Sequence, residues 1–285
     1  MRRQEATQDA DGGAAVTAST TEAQYRAMPG LSGTGIKTIL ESPAQWKWEQ
    51  DHPRAATSAM NLGTIAHALI LNQPLSVVVT DYPDFKTKAA REWRDEQEAL
   101  GLIVVKADVM ETAEAMARAV REHPAASALL GEPGVSEAVA IGQHRQRPLK
   151  GRIDRLTTER VIDIKTDRDV SPLGIQKAMA TYGYPGQLRH YAQLTDTADK
   201  PAIIIAVRNA APHFVAVYEI DELTWDLAGR AVAKAWDIYA DCLDTDTWPT
   251  GLHEGIEPID LRPWAFDQLD ELVDPDAYAD VELKL

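Results

Sequence analysis

The stretch 151-GRIDRLTTERVIDIKT-166 decides how this chain is read. Two extended runs, one ending at Asp154 and one covering Val161–Lys165, flank a polar turn at Thr157–Arg160, which predicts a hairpin. Side chains alternate across a strand. Asp163 and Lys165 therefore share one face, and Ile162 and Ile164 the other. By the same rule Lys150, Arg152 and Asp154 fall together on the first strand. If the strands lie side by side, two carboxylates and an ammonium converge on one patch. Mg²⁺ takes one or two carboxylates plus substrate phosphate oxygens, and a lysine beside it can hold water or neutralise charge growing on the phosphate. An Asp-x-Lys on a strand is more commonly a solvated face. The apolar flank Val161, Ile162 and Ile164 argues instead for a central strand, where unpaired charge is costly.

At 285 residues the chain can bury one substantial core with additions, or two small ones. A single cysteine, Cys242, excludes an internal disulfide and a multi-cysteine zinc or iron–sulfur site, which suits a reducing cytoplasm. The N-terminal residues carry charge without an apolar segment behind it, unlike a signal peptide. No run reaches membrane-spanning length. A net charge of −15 counts against general nucleic-acid binding. The charge is segregated, however: residues 241–285 hold 13 acidic and 2 basic residues, whereas Arg145, Arg147, Lys150, Arg152, Arg155 and Arg160 cluster around the hairpin.

Composition predicts disorder over residues 1–28, a domain over 29–250, and an acidic, partly docked tail over 251–285, where Leu261, Trp264 and Phe266 are the anchors available. Helices are expected near 34–41, 107–122, 172–182, 185–194 and 222–242, and strands near 135–142, 201–208 and 213–220. On the long helix 222–242, Leu223, Leu227, Val232, Trp236 and Tyr239 are expected to face inward. Gly30–Thr38, GLSGTGIKT, superficially resembles a phosphate-binding loop, but Ile36 interrupts the required Gly-Lys-Thr and no strand precedes it. The chain contains no credible ATP-binding motif.

Met60–Asn72, MNLGTIAHALILN, reads as a buried helix on which Gly63 permits close packing and His67 is the one ionisable group. A lone histidine there is more commonly a core residue than a ligand, and no partner at i+4 makes a two-histidine zinc site. Residues 77–101 read as a solvated loop and helix, or alternatively as a phosphate-contacting flap using Lys88, with Trp93 available to stack on a base. Glu137 shares a face with Val139 and Ile141, odd for a buried face, and marks a third acidic group. Gln187 and Tyr191, four apart, share a helix face.

In order, the motifs are Gly63-x3-His67 on a helix, Asp154 ending a strand, Asp163-Ile164-Lys165, and Gln187-x3-Tyr191. This series resembles the RecB-like branch of the PD-(D/E)XK nucleases, and within it RecE-like (exonuclease VIII) phage exonucleases. Leu40–Trp48 (LESPAQWKW), Tyr182–Tyr191 (YGYPGQLRHY) and Asp241–Pro249 (DCLDTDTWP) add to the likeness, which spans most of 30–266. It implies an α/β fold with a restriction-endonuclease-like core, a mixed central sheet flanked by helices. It also implies a 5′-to-3′ exonuclease on double-stranded DNA ends, using Mg²⁺ or Mn²⁺ and leaving a 3′ single strand for a RecT-like annealing protein, with a ring of subunits in the cytoplasm of a bacterial host.

By that resemblance Asp154 and Asp163 ligate metal with the Ile164 carbonyl, Lys165 positions or activates water, and His67 ligates or flanks a second ion. Gln187 and Tyr191 support the site or touch DNA, and Glu137 matches an upstream acidic position. Arg145, Arg147, Lys150, Arg152, Lys88 and Trp93 are the candidates for DNA contact. The competing reading is a catalytically silent DNA- or protein-binding module on the same fold.

Overall fold

The hairpin that holds the decisive stretch is longer on its first side than its sequence suggests. In the computed structural model, which describes residues 15–17, 20–52, 58–253 and 255–273, Arg147–Thr157 pairs antiparallel with Gly134–His144 over almost its whole length. In chain order the elements are β1 (Ala15–Thr17), α1 (Glu22–Ala27), β2 (Leu31–Ser32), α2 (Gly35–Glu41), α3 (Pro43–Asp51), α4 (Ser58–Ile70), β3 (Val77–Val79), α5 (Lys88–Ala99), β4 (Ile103–Val105), α6 (Ala107–Glu122) and α7 (Pro124–Gly131). They continue with β5 (Gly134–His144), β6 (Arg147–Thr157), β7 (Val161–Asp167), α8 (Pro172–Tyr182), α9 (Tyr184–Leu194), β8 (Ile203–Arg208), β9 (Val215–Glu219), α10 (Glu222–Thr245) and α11 (Pro263–Val273).

The central sheet runs β1-β5-β6-β7-β8-β9, with β2 also on β6. It is mixed: β7 and β8 are parallel, as are β2 and β6, and the other pairs are antiparallel. One face carries a core of Leu149, Ile153, Val161 and Ile204 under α2, α9 and α10; the other carries Ile162, Ile164, Ile203 and Ile205 under α4 and α6. β8 is buried on both faces, which explains its continuous apolar run. The small parallel pair β3-β4 stands apart from this sheet.

The chain divides after Thr250 into two units, the second of which contains α11. Residues 1–14, 18 and 19 of the segment expected to be disordered, and 254 and 274–285 of the acidic tail, lie outside the described residues. The rest of the N-terminal segment departs from expectation. β1 adds an edge strand to β5, and α1 starts with a reciprocal cap between Thr21 and Gln24, each side chain accepting the other's backbone N–H. On α10 the inward stripe is Trp225, Ala228, Val232, Ala235 and Tyr239, while Leu223 and Leu227 face outward. Leu227 and Val232 are five residues apart, about 140° around a helix, so they cannot both face the core.

Candidate active site

The ladder between β6 and β7 is short, and that creates the site. Only Arg155↔Ile162 and Leu156↔Val161 pair, and β2 joins the same edge of β6 at Leu149 and Lys150. Between them lies an opening in the sheet. Asp154 occupies it: its Oδ2 accepts the Ile164 N–H at 2.7 Å, replacing the carbonyl a continuous ladder would supply. The alternation of β5 and β6 also slips here. Val135 and Ala138 pack on the same core although three residues apart, as do Ile153 and Leu156. The residue at the slip is Glu137, whose φ of +53° is left-handed, a strained conformation for a side-chain-bearing residue inside a strand.

Four predicted residues come together at this opening. Lys165 Nζ stands 2.7 Å from Asp163 Oδ2, and His67 Nδ1 lies 3.4 Å from Asp154 Oδ2. α4 delivers His67, crossing β7 so closely that a Cβ on Gly63 would meet Thr166 Oγ1 at 3.6 Å. Asp163 is only 3 % exposed. Burial, then the Asp154 charge, raise its carboxyl to about 6 against the pull of Lys165. Burial works against ionised Asp154 too, but His67, Lys165 and the Ile164 N–H outweigh it and hold that carboxyl below the usual range. Burial likewise opposes the charged forms of His67 and Lys165, and the two aspartates more than offset it, so both pKa values rise. Two environments thus push neighbouring carboxyls in opposite directions, the pattern expected of acid–base sites.

Behind Lys165 runs a supporting chain. Gln187 Oε1 lies 3.5 Å from Lys165 Nζ, and Gln187 Nε2 donates to the Tyr191 hydroxyl at 3.0 Å. Tyr191 is 4 % exposed and so braces the site without reaching a ligand. Its ring lies against Gly33 and Gly151: a Cβ on either would approach ring carbons to 2.5 and 2.8 Å. The glycine-rich Gly30–Thr38 segment is therefore glycine-rich in part to admit a tyrosine. Tyr184, which the sequence reading did not single out, places its ring 4.4 Å from Lys165 Nζ.

Glu137 flanks the cluster, opposite Asp154. Burial, then the Asp154 charge, push its carboxyl up to about 7 against the pull of His67, and Arg152 Nε lies 2.6 Å from its Oε2. Arg152 also pairs with Glu22 of α1. Lys150 sits under the same helix, donating to the carbonyls of Tyr25, Arg26 and Met28, with its Nζ 5.0 Å from the Tyr25 ring. Lys150 and Arg152 of β6 are thus engaged by the N-terminal segment. Nothing in the sequence of Glu22–Ala27 signals this, because the partners lie more than 120 residues away.

The remaining candidates lie elsewhere. Arg145 and Arg147 stand at the β5–β6 tip, about 20 Å along the strand from Asp154. There Arg145 reaches Asp241 at 2.7 Å and Asp244 at 3.1 Å, Arg147 Nε reaches Asp244 at 2.8 Å, and His144 reaches Asp237 at 2.8 Å. Lys88 faces Glu92 on α5, and Trp93 packs against Tyr82 with ring centroids 5.7 Å apart. Trp93 is half-buried there.

The donor chemistry suits a hard cation, with the buried carboxylate of Asp163, the partly exposed one of Asp154 and the Ile164 backbone; Asp163 Oδ2 has no well-directed hydrogen-bond donor despite its ion pair. Among the described residues no three His, Cys, Asp or Glu side chains already form a closed metal cage. Lys165 and His67 instead cap the two aspartates.

Comparison with known proteins agrees with this architecture. No curated protein sequence matches the chain. A candidate exonuclease from Eubacterium rectale superposes with a TM-score of 0.57 at 9% identity, covering 86% of this chain and 97% of that one, which establishes a shared fold. A phage-related exonuclease from Haemophilus somnus matches with a TM-score of 0.33 at 13% identity, over 76% of this chain and 96% of its own. Residues 32–259 match the family described as the PDDEXK-like domain of unknown function (DUF3799), and the chain belongs to that family.

Proposed function

We propose that this chain is a metal-dependent deoxyribonuclease, an exonuclease that degrades the 5′-ended strand of linear duplex DNA and leaves 3′ overhangs for strand annealing. The observation that carries the reading is the opening between β6 and β7, where Asp154, Asp163, Lys165 and His67 meet with opposed carboxyl pKa shifts. A purely structural ion-pair cluster would gain nothing from a broken ladder and a left-handed Glu137.

Asp154, Asp163 and the Ile164 carbonyl would hold Mg²⁺ or Mn²⁺. When bound, the ion supplies charge neutralisation at the phosphodiester and a more acidic attacking water. Lys165, now paired with Asp163, would be the group to orient water or to meet charge developing on phosphate oxygen with Asp163 engaged by the metal. Gln187 and Tyr191 fix the position of that ammonium. Arg152 becomes a phosphate contact once Glu22 leaves it, since a carboxylate and a phosphate satisfy the same guanidinium fork. The acidic exterior discourages loose binding to duplex, so a ring of subunits would be the means of staying on the substrate.

The test is linear duplex labelled separately at its 5′ and 3′ ends and incubated with Mg²⁺ or with EDTA. Early mononucleotide release from the 5′ label, with Mg²⁺ only, is expected. Binding without release would place the chain with silent modules on this fold, and early 3′ release would reverse the polarity.

A further inference from the structure

Beside the catalytic lysine lies an aromatic pair that the nuclease reading does not use. Tyr182 ends α8 and Tyr184 begins α9, and their rings stack with centroids 5.6 Å apart and planes 22° from parallel. Tyr184 is the inner member, with its ring against Lys165 Nζ. Tyr182 is the outer one, 61 % exposed. Its ring centre is therefore no more than about 10 Å from the lysine ammonium, within about three steps along one strand of DNA.

The pair is held rigid. Gly183 between the tyrosines has φ +71°, the left-handed turn that ends α8 and starts α9. Lys37 packs its stem against Gly183, where a Cβ would approach it to 2.9 Å, and donates from Nζ to the Thr181 carbonyl at 2.6 Å. The backbone turn that carries Tyr182 is thus pinned, and its ring rests on that of Tyr184. The Tyr182 ring offers a flat apolar face whose ordering cost has already been met by the fold.

We propose that Tyr182, backed by Tyr184, is a stacking platform for the unpaired terminal base of the DNA strand entering the site. The inference rests on the nuclease reading for its substrate. Within a duplex each base face is covered by its neighbour, so the platform can engage only an end or a frayed nucleotide. Because every base has a π-face, recognition is independent of sequence. The consequence is a preference for strand ends and unpaired termini over internal duplex, built into the mouth of the site rather than into base-specific contacts.

A two-by-two cycle tests it. The wild type, Tyr182→Ala and Tyr182→Phe are compared on duplexes whose terminal nucleotide is normal or abasic, at each end in turn. Two quantities are read: kcat/KM with Mg²⁺, and Kd in EDTA by fluorescence anisotropy, with a thermal melt to check folding. Stacking predicts about a tenfold loss when the wild type meets the abasic end, and about the same loss for Tyr182→Ala on the normal end. It predicts no further loss when both changes are combined, and near-normal behaviour of Tyr182→Phe. Losses that multiply, or a Tyr182→Ala protein equal to wild type on the normal end, overturn the platform. If the wild type cuts no DNA, the Kd arm still decides: the same non-additive pattern keeps the platform while the nuclease reading fails.

Discussion

The same two strands, β5 and β6, carry charged clusters at both ends, and the two ends behave differently. At the tip, His144, Arg145 and Arg147 face Asp237, Asp241 and Asp244 of α10 in an exposed zipper. At the opening, His67 of α4 meets Asp154, while Asp163 and Lys165 pair on the face of the sheet where Gln187 and Tyr184 of α9 lie, all four wholly or partly buried. Charge pairs in water are screened and contribute little. Pairs withdrawn from water cost desolvation energy that their attraction only partly returns. A chain that keeps the second kind next to a broken ladder is holding charge ready for something else to bind. The tip faces a helix; the opening is where we propose that a ligand binds.

The sharpest way to break that contrast is to remove one charge from each cluster. Asp163→Ala is expected to reduce digestion of linear duplex by more than about 10²–10³-fold with the circular dichroism spectrum retained. Near-normal activity would dissolve the distinction. Lys165→Ala should lower turnover by about 10²-fold while Mn²⁺ affinity, followed by calorimetry, stays close to wild type. An affinity loss matching that of Asp163→Ala would make Lys165 part of the cation's binding rather than of the chemistry.

A third prediction concerns the buried frame between the two clusters. His190 donates from Nε2 to the Lys150 carbonyl at 3.0 Å and accepts at Nδ1 from Trp236 Nε1 at 2.9 Å, which fixes a neutral tautomer. Burial lowers its pKa to about 4. The unfolded chain, with histidine near 6.5, then binds one more proton than the folded chain between those values. Stability is therefore complete above about pH 6.5 and falls by up to about 3 kcal/mol as pH drops toward 4. Denaturant titrations across that range, with His190→Gln as the flattened control, check the sign.

Smaller effects follow at the back of the site and at the tip. Gly33→Ala and Gly151→Ala both press on the Tyr191 ring, so each is expected to cost about 1–3 kcal/mol and to slow turnover through Gln187 and Lys165. A Tyr191→Phe protein that melts normally but turns over more slowly would separate bracing from packing. Arg145→Ala and Arg147→Ala should change neither DNA affinity nor melting temperature measurably in moderate salt. A clear loss of DNA binding in either would return the tip to the DNA path.

Much of the sheet was legible because its period and its boundaries are marked. The helix over 107–122 appears with its expected limits, ended by His123-Pro124, and Ser171-Pro172 caps α8 as expected. Within the site, Asp163 and Lys165 share a face and Ile162 and Ile164 the other, as alternation requires, since β7 is regular. What could not be read is what breaks the rules. The slip at Glu137 changes which parity faces the core, and no residue type announces a left-handed glutamate. Arg145, Arg147, Lys150 and Arg152 look alike as a basic run, yet two of them serve α10 and two serve α1, through partners distant in sequence. Trp93 looked free because nothing local places Tyr82 against it. Tyr184 lay inside a quoted motif, but its contact with Lys165 depends on the left-handed Gly183 turn.

The central claim is that the opening between β6 and β7 is a cation site. Anomalous diffraction from crystals soaked in Mn²⁺ tests it most directly. The account predicts a peak within about 2.5 Å of carboxylate oxygens of both Asp154 and Asp163, with Lys165 Nζ moved off Asp163. Crystals that hold Mn²⁺ only elsewhere, with the Asp163–Lys165 pair still closed, would contradict it.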